Sequence, residues 1–290
     1  MNDEVLFTQQ WATVADLLHR EIGRALRSAF GVTYLAFCLL ASVRSHGGRM
    51  ALSAFPRDAL ANANTVTVAA AKATKQGYLE KRRCANDRRA LEVAETPRGA
   101  RIVESGFEAI YARLCVTVWK NHARRDIDET MHEFASVASK LGIDSVEINH
   151  RCHPVLTPSY LMCVAGLLRQ WESRTARFAG LTFSEYRCLA LLEHRLGSLS
   201  CAAFADELVL DRSTVSPIVT RLADAGYTVV EVGLDRRCRC VSLTGKGRVV
   251  AALVTSELEN ITAELFSDAS PSVKARANEL HMRMYASCIL

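Results

Sequence analysis

Apolar positions recur at helical spacing at the start of each half of the chain. Leu161, Val164, Leu168 and Trp171 form a stripe over 156–178, and Phe7, Trp11, Val14, Leu18, Ile22 and Leu26 form its counterpart. Both stripes predict a long amphipathic helix. In the second half the pattern then breaks into shorter pieces. Thr182 caps a second helix, and SLSCAAFADEL (198–208) reads as a short third one. DRSTVSPIVTRLADAG (211–226) is the fourth. Val215, Ile218, Val219 and Leu222 make its apolar stripe, Ser213, Ser216, Pro217 and Thr220 lie opposite, and Gly226 stops it. Pro217 fits two starts: a helix capped by Ser216 with Pro at its first position, or an earlier start that loses one early hydrogen bond. YTVVEV and RRCRCVSLT flank a short GLD turn and predict a β-hairpin. Thr244 caps a long helix to about Phe266, and Pro271 opens the last one.

This pattern is written twice. VTYLAFCLLASV begins at Val32 and LTFSEYRCLALL at Leu181, a separation of 181 − 32 = 149. At that shift Gly31 meets Gly180, Thr33 meets Thr182, Phe37 meets Tyr186, Thr65-Val66-Thr67 meets Thr214-Val215-Ser216, and Gly77-Tyr78 meets Gly226-Tyr227. Past one loop the shift becomes 148. Asp87-Arg88-Arg89 then meets Asp235-Arg236-Arg237, and Thr96-Pro-Arg-Gly99 meets Thr244-Gly-Lys-Gly247. The expected organisation is repeat 1 over 1–141, a linker over 142–155, and repeat 2 over 156–290, with repeat 1 the more degenerate.

A helix-turn-helix offers the first turns of its second helix to the major groove of DNA. Small hydroxyls at Ser213, Thr214, Ser216 and Thr220 can approach base edges and phosphates closely, and Arg212 and Arg221 can pair with phosphate or guanine. In repeat 1 the corresponding candidates are Thr65, Thr67, Lys72 and Lys75. Plain helix capping explains such hydroxyls equally well when one stretch stands alone. The hairpin tips add a second signal. Arg88 and Arg89 on one, and Arg236 and Arg237 on the other, suit the negative potential of a minor groove.

AFADEL, DRSTVSPIVTRLADAG and DRRCRCVSLTGKG together resemble the MarR family of winged-helix transcriptional regulators over essentially all of 156–290. Repeat 1 resembles it through NTVTVAAAKATKQGYLEKRR, DRRALEVAET and PRG. Members of that family pair as homodimers through their first and last helices. The resemblance therefore implies a mainly α fold with small β-hairpin wings: two winged helix-turn-helix units joined by a helical dimerisation-type bundle in one polypeptide. It implies a DNA-binding regulator acting as a monomeric pseudo-dimer on double-stranded DNA. A small-molecule effector or oxidant at the junction of bundle and winged helix would change the spacing of its two reading heads. Trp11, Tyr34, Phe37, Trp171 and Tyr186 are candidates to line an effector pocket, or are simply core. The Thr/Ser-Val-Ser-Pro stretch is most similar to a hydroperoxide-sensing branch that uses a reactive Cys in its first helix. Cys163 lies in the corresponding helix, at a different distance from Thr182 than that pattern has.

The repeats differ where contact is expected. Ala63 and Lys72 stand for Arg212 and Arg221, and Val68 for Pro217. Unequal half-sites follow. Cys238 and Cys240 share one face of a wing strand, where flanking Arg residues would favour oxidation. They serve equally as small strand residues.

Net charge is only +5 over 290 residues, which permits nucleic acid without requiring it. Ten Cys without a CxxC pair, and the acidic start MNDEVLFTQQW, favour reduced thiols and a cytoplasmic location. No apolar run approaches membrane-spanning length. His150-x-Cys152-His153 offers three ligands with no fourth in view, so no metal is expected. No catalytic signature is present: GxSxG, HExxH, a phosphate loop and a complete GxGxxG are all missing. An enzyme and a cofactor are therefore not expected. The competing class is an interaction scaffold, derived from such a regulator, that has lost DNA binding.

Overall fold

A computed structural model of the chain describes residues 7–56, 60–83, 91–128, 137–143, 156–232 and 239–289. Helix α1 (Gln9–Phe30) and α2 (Tyr34–Ser45) open the chain. β1 (Arg49–Ala51) and a 3-10 turn (Leu52–Ala54) lead to α3 (Ala63–Lys75). The hairpin β2 (Leu79–Arg83) and β3 (Leu91–Glu95) precedes α4 (Pro97–Cys115). With an α-helix, α7, at the place of the 3-10 turn, the same order follows in α5 (Pro158–Ala179), α6 (Phe183–Arg195), β4 (Leu199–Ser200), α7 (Cys201–Glu207), α8 (Arg212–Asp224), β5 (Thr228–Val232), β6 (Arg239–Leu243) and α9 (Gly245–Leu265). Helix α10 (Pro271–Ile289) ends it.

Each hairpin gains a third antiparallel strand that periodicity did not show. The sheets have strand orders β1-β3-β2 and β4-β6-β5. β4 pairs Leu199 with Val241 and Ser200 with Cys240, so SLSCAAFADEL is a two-residue strand followed by a helix rather than one helix. Two residues are too short for any alternation to register.

Caps explain most boundaries. Thr182 accepts from the Glu185 amide while the Glu185 carboxylate accepts from the Thr182 amide, a reciprocal capping box. At the foot of each wing a threonine and a glycine make one device twice. Thr96 Oγ1 donates toward the Gly77 and Tyr78 carbonyls and accepts from the Gly99 amide; Thr244 does the same with Gly226, Tyr227 and Gly247. A Cβ on Gly99 would run into the Tyr78 carbonyl oxygen, and one on Gly247 into that of Tyr227. Only glycine lets the long helix start this close to the strand.

Contacts divide the chain into two compact units: residues 1–14 with 170–290, and residues 15–169. In the first unit Trp11 packs edge-on against Trp171, Phe266 and His281, with ring centroids 4.9, 5.7 and 5.1 Å apart. In the second, the Tyr34 hydroxyl donates to the Leu161 carbonyl at 2.7 Å, and Phe37 packs on Phe107 at 5.2 Å. Thus α1 and α5 each begin in one unit and end in the other.

Among the described residues no single helix is long and apolar enough to cross a membrane. The α1–α2 pair is sufficiently apolar only across an 81° bend.

Candidate nucleic-acid interface

Helix α8 is built on a buried stripe. Val215, Ile218, Val219 and Leu222 are at most 5% exposed and join a cluster containing Leu189, Leu192, Phe204, Leu208 and Val241. The opposite face leaves Arg212, Ser213, Thr214, Ser216, Pro217, Thr220 and Arg221 exposed. The cap is Asp211, five residues before Ser216, so the earlier of the two starts is correct. Pro217 is the sixth helical residue and has no N–H for the Ser213 carbonyl. The helix tolerates this inside its solvent-facing second turn. Its early start places Arg212 and Ser213 in the first turn, where free backbone N–H groups and the helix dipole favour an anion.

Arg221 is held by its own protein. Its Nε donates to Glu185 Oε1 at 2.5 Å, while Glu185 Oε2 accepts from the Thr182 amide at 2.8 Å. Burial pushes the Glu185 acid up, but the bonds from Arg221 and Thr182 outweigh it and hold the acid below its usual range. Arg221 thus braces α8 against α6. The T-x-x-E signature at Thr182–Glu185 was readable as a cap; its second task at Arg221 was not. Lys246 was also missed. Its Nζ donates to the Ala225 carbonyl at 2.8 Å and lies 4.6 Å from the centre of the Tyr227 ring, placing a cation at the C-terminal end of α8.

Helix α3 buries Val66, Ala70 and Ala73 and exposes Thr65, Thr67, Val68, Lys72 and Lys75. Asn62 caps it, accepting from the Thr65 amide at 2.8 Å and the Thr65 hydroxyl at 2.7 Å. Thr67 Oγ1 donates to the Ala63 carbonyl at 2.9 Å, and Thr220 Oγ1 to the Ser216 carbonyl at 3.1 Å. These hydroxyl protons are therefore committed to the backbone, and the oxygens remain as acceptors. The position matching Glu185 is Ala36, so Lys72 has no counterpart of that brace.

The wing arginines Arg88, Arg89, Arg236 and Arg237, together with Cys238, lie outside the described residues, as do His150, Cys152 and His153. Their strands are described. β2 carries Lys81 and Arg82, and β6 begins at an exposed Arg239.

Trp11, Trp171 and Tyr186 belong to one compact unit, Tyr34 and Phe37 to the other, and all are buried. Three polar ends are used structurally: the Tyr34 hydroxyl at the Leu161 carbonyl, Trp171 Nε1 donating to Thr262 Oγ1 at 3.0 Å, and the Tyr186 hydroxyl bonded to Thr255 at 2.8 Å; the Trp11 Nε1 is buried without a hydrogen-bond partner among the described residues. The Phe37 ring sits where a Cβ of residue 106 would be, which is why that residue is glycine. These side chains are core.

Cys163 is buried, and burial pushes its thiol up to about 12. At neutral pH it is a protonated, enclosed thiol, so the resemblance-based role of reactive thiolate does not carry over. Cys240 is half-buried and pairs with Glu231 across the sheet. Sequence reading also missed Arg187. It is fully buried and donates to Thr13 Oγ1 at 3.0 Å and the Leu208 carbonyl at 2.9 Å, tying the start of α1 to the turn before α8.

A model of the MarR family matches residues 179–237, from the end of α5 through the winged helix-turn-helix to β5. No curated protein matches the chain. Among solved structures, the chain is similar to MepR, a transcription regulator of the Staphylococcus aureus multidrug efflux pump MepA. The identity is 21% over 46% of this chain and 98% of that one, with a TM-score of 0.37. It is similar to the transcriptional regulator BldR from Sulfolobus solfataricus, at 23% identity over 36% and 75%, with a TM-score of 0.34. It is also similar to Bordetella bronchiseptica BpsR, whose DNA binding is regulated by 6-hydroxynicotinic acid, at 20% identity over 41% and 87%, with a TM-score of 0.34.

Proposed function

We propose that the chain is a DNA-binding transcriptional regulator of MarR type, a duplicated pseudo-dimer whose two winged helix-turn-helix units read unequal half-sites. One observation carries the reading. Helix α8 lies in the segment that matches the family model, and it seats its apolar stripe in the core while presenting Arg212, Ser213, Thr214 and Ser216 outward from an N-terminus. Support for duplication comes from the shared element order, the matching strand orders and the repeated Thr–Gly junctions at the wing feet. Arg212 and the hydroxyls of α8 supply base and phosphate contacts. Thr65, Thr67, Lys72 and Lys75 of α3 supply a weaker second set, in which the two lysines contact phosphate. The wing arginines Arg88, Arg89, Arg236 and Arg237 contribute minor-groove or phosphate contacts. A small ligand releases the DNA by shifting the two heads.

The test is selection of binding sequences from random duplexes, followed by titration of the winner at rising salt. A regulator binds one sequence with affinity that falls steeply with salt, and Arg236→Ala with Arg237→Ala weakens it several-fold or more. Absence of any preferred duplex at low salt would refute the reading and favour the scaffold.

A further inference from the structure

Within the unit formed by residues 15–169, the C-terminal half of α1 and the end of α4 enclose an open cleft of about 510 Å³ lined by Arg24, Ala25, Arg27, Ser28 and Arg113. Three guanidinium side chains around one cleft repel one another unless something holds them. Glu21 does this for two. It is 2% exposed; its Oε1 accepts from Arg24 NH1 at 2.7 Å and its Oε2 from Arg113 Nε at 2.5 Å. One buried carboxylate thus fixes a guanidinium from each of two helices on one side of the cleft. The heads are not enclosed with it, since the Arg24 and Arg113 side chains remain 46% and 42% exposed. Arg27 supplies the third. It folds back so that its NH1 would lie 3.2 Å from a Cβ on Gly23. A mid-helix glycine costs about 1 kcal/mol against alanine, and here it makes room for the Arg27 head. The lining residues themselves include three cationic side chains and no acidic one.

Helix packing alone does not require this arrangement. At a shift of 149 the matching positions of the other repeat are Gln170 for Glu21, Glu172 for Gly23, Ser173 for Arg24 and Ala176 for Arg27; at 148, Arg113 becomes Ile261. There α5 and α9 are joined by the Arg174–Glu257 pair at 2.6 Å and the Trp171–Thr262 bond. The arginine cluster is thus peculiar to one unit.

We propose that this cleft binds a small organic phosphate, its dianionic group received by Arg24, Arg27 and Arg113 while Glu21 holds two of the three in place. Guanidinium forks match phosphate oxygens in shape and charge. The volume suits a metabolite-sized molecule rather than a bare ion. The site goes beyond the regulator reading and stands without it.

Calorimetric titration of the full chain with phenyl phosphate at constant ionic strength tests the site, with inorganic phosphate and benzoate in parallel. Phenyl phosphate binds with one site per chain and more tightly than either of the others. Arg27→Ala, which leaves the Glu21 pairs intact, weakens it about tenfold or more, as loss of a charge-assisted hydrogen bond requires. Arg113→Gln weakens it likewise, with folding checked by circular dichroism. No heat with wild type, or equal affinity in wild type and Arg27→Ala, would overturn the proposal. So would a loss of duplex-DNA affinity in Arg27→Ala in a chain that does not bind phenyl phosphate, because the arginines would then serve nucleic-acid phosphate. A chain that binds phenyl phosphate but no duplex refutes the regulator reading alone.

Discussion

Helices α3 and α8 use the same positions to pack and different residues to meet solvent. At a shift of 149, Val66, Ala70 and Ala73 match Val215, Val219 and Leu222, and all six are buried. The exposed positions diverge. Ala63 stands for Arg212, Asn64 for Ser213, Val68 for Pro217 and Ala71 for Thr220. What the core requires is the same in both places, whereas what the outer face can bind is not. The core itself is thinner under α3, which buries two alanines where α8 buries Val219 and Leu222. Helix α8 also has the Glu185–Arg221 brace, and α3 has Ala36 where the glutamate would be.

The largest expected effect is a pH dependence set at His281, in the unit formed by residues 1–14 and 170–290. His281 is 2% exposed against Trp11, and burial lowers its pKa from an ordinary 6.5 to about 4. The unfolded chain takes up a proton near pH 6.5 and the folded chain does so only near 4, so the unfolded state binds more protons in between. Stability is therefore full above about pH 6.5 and falls by about 3 kcal/mol toward pH 4. Urea unfolding across that range measures it, and His281→Gln should flatten the slope. An unchanged slope in the variant would remove His281 from the account.

Next come the wing feet, where the two units should behave alike. Gly99→Ala and Gly247→Ala each push a Cβ into a tyrosine carbonyl and should cost about 1–3 kcal/mol. A large cost at one and none at the other would show that the two junctions are not equivalent.

The outer faces should then differ. Arg212→Ala should weaken the selected duplex by about tenfold and relax the preference at one base position. Lys72→Ala should weaken all duplexes similarly and reduce the salt slope by about 1. Equal, sequence-dependent losses would contradict the asymmetry. The smallest effect is local. Amides of α3 should open at a free energy about 1 kcal/mol below those of α8, given its smaller buried side chains and missing brace. Hydrogen exchange reads this directly, and greater protection of α3 would reverse the comparison.

Long periodic elements were legible in the sequence. The stripe of α8 matches the buried set residue for residue, and Thr182, Thr244 and Gly226 mark the boundaries they suggested. Short and long-range features were not. β4 is two residues long, and its pairing with β6 depends on chain that lies forty residues away. Arg221 reads as an outward cation until Glu185, thirty-six residues earlier, is placed beside it. The aromatics Trp11, Tyr34, Phe37, Trp171 and Tyr186 have composition suited to a ligand and to a core alike; only their burial and hydrogen bonds decide. Cys163 shows the same limit, because position in a helix says nothing about enclosure. The cleft around Glu21 joins residues more than ninety positions apart on two helices and leaves no local pattern.

The central claim is that one polypeptide carries two reading heads of unequal quality. Selection of duplexes from a random pool, with stoichiometry from analytical ultracentrifugation, tests it most directly. The account predicts one chain per duplex, one sharply defined half-site and a loosely defined neighbour whose preference survives Arg212→Ala. Two chains on a perfect inverted repeat, or no preferred sequence at all, would contradict it.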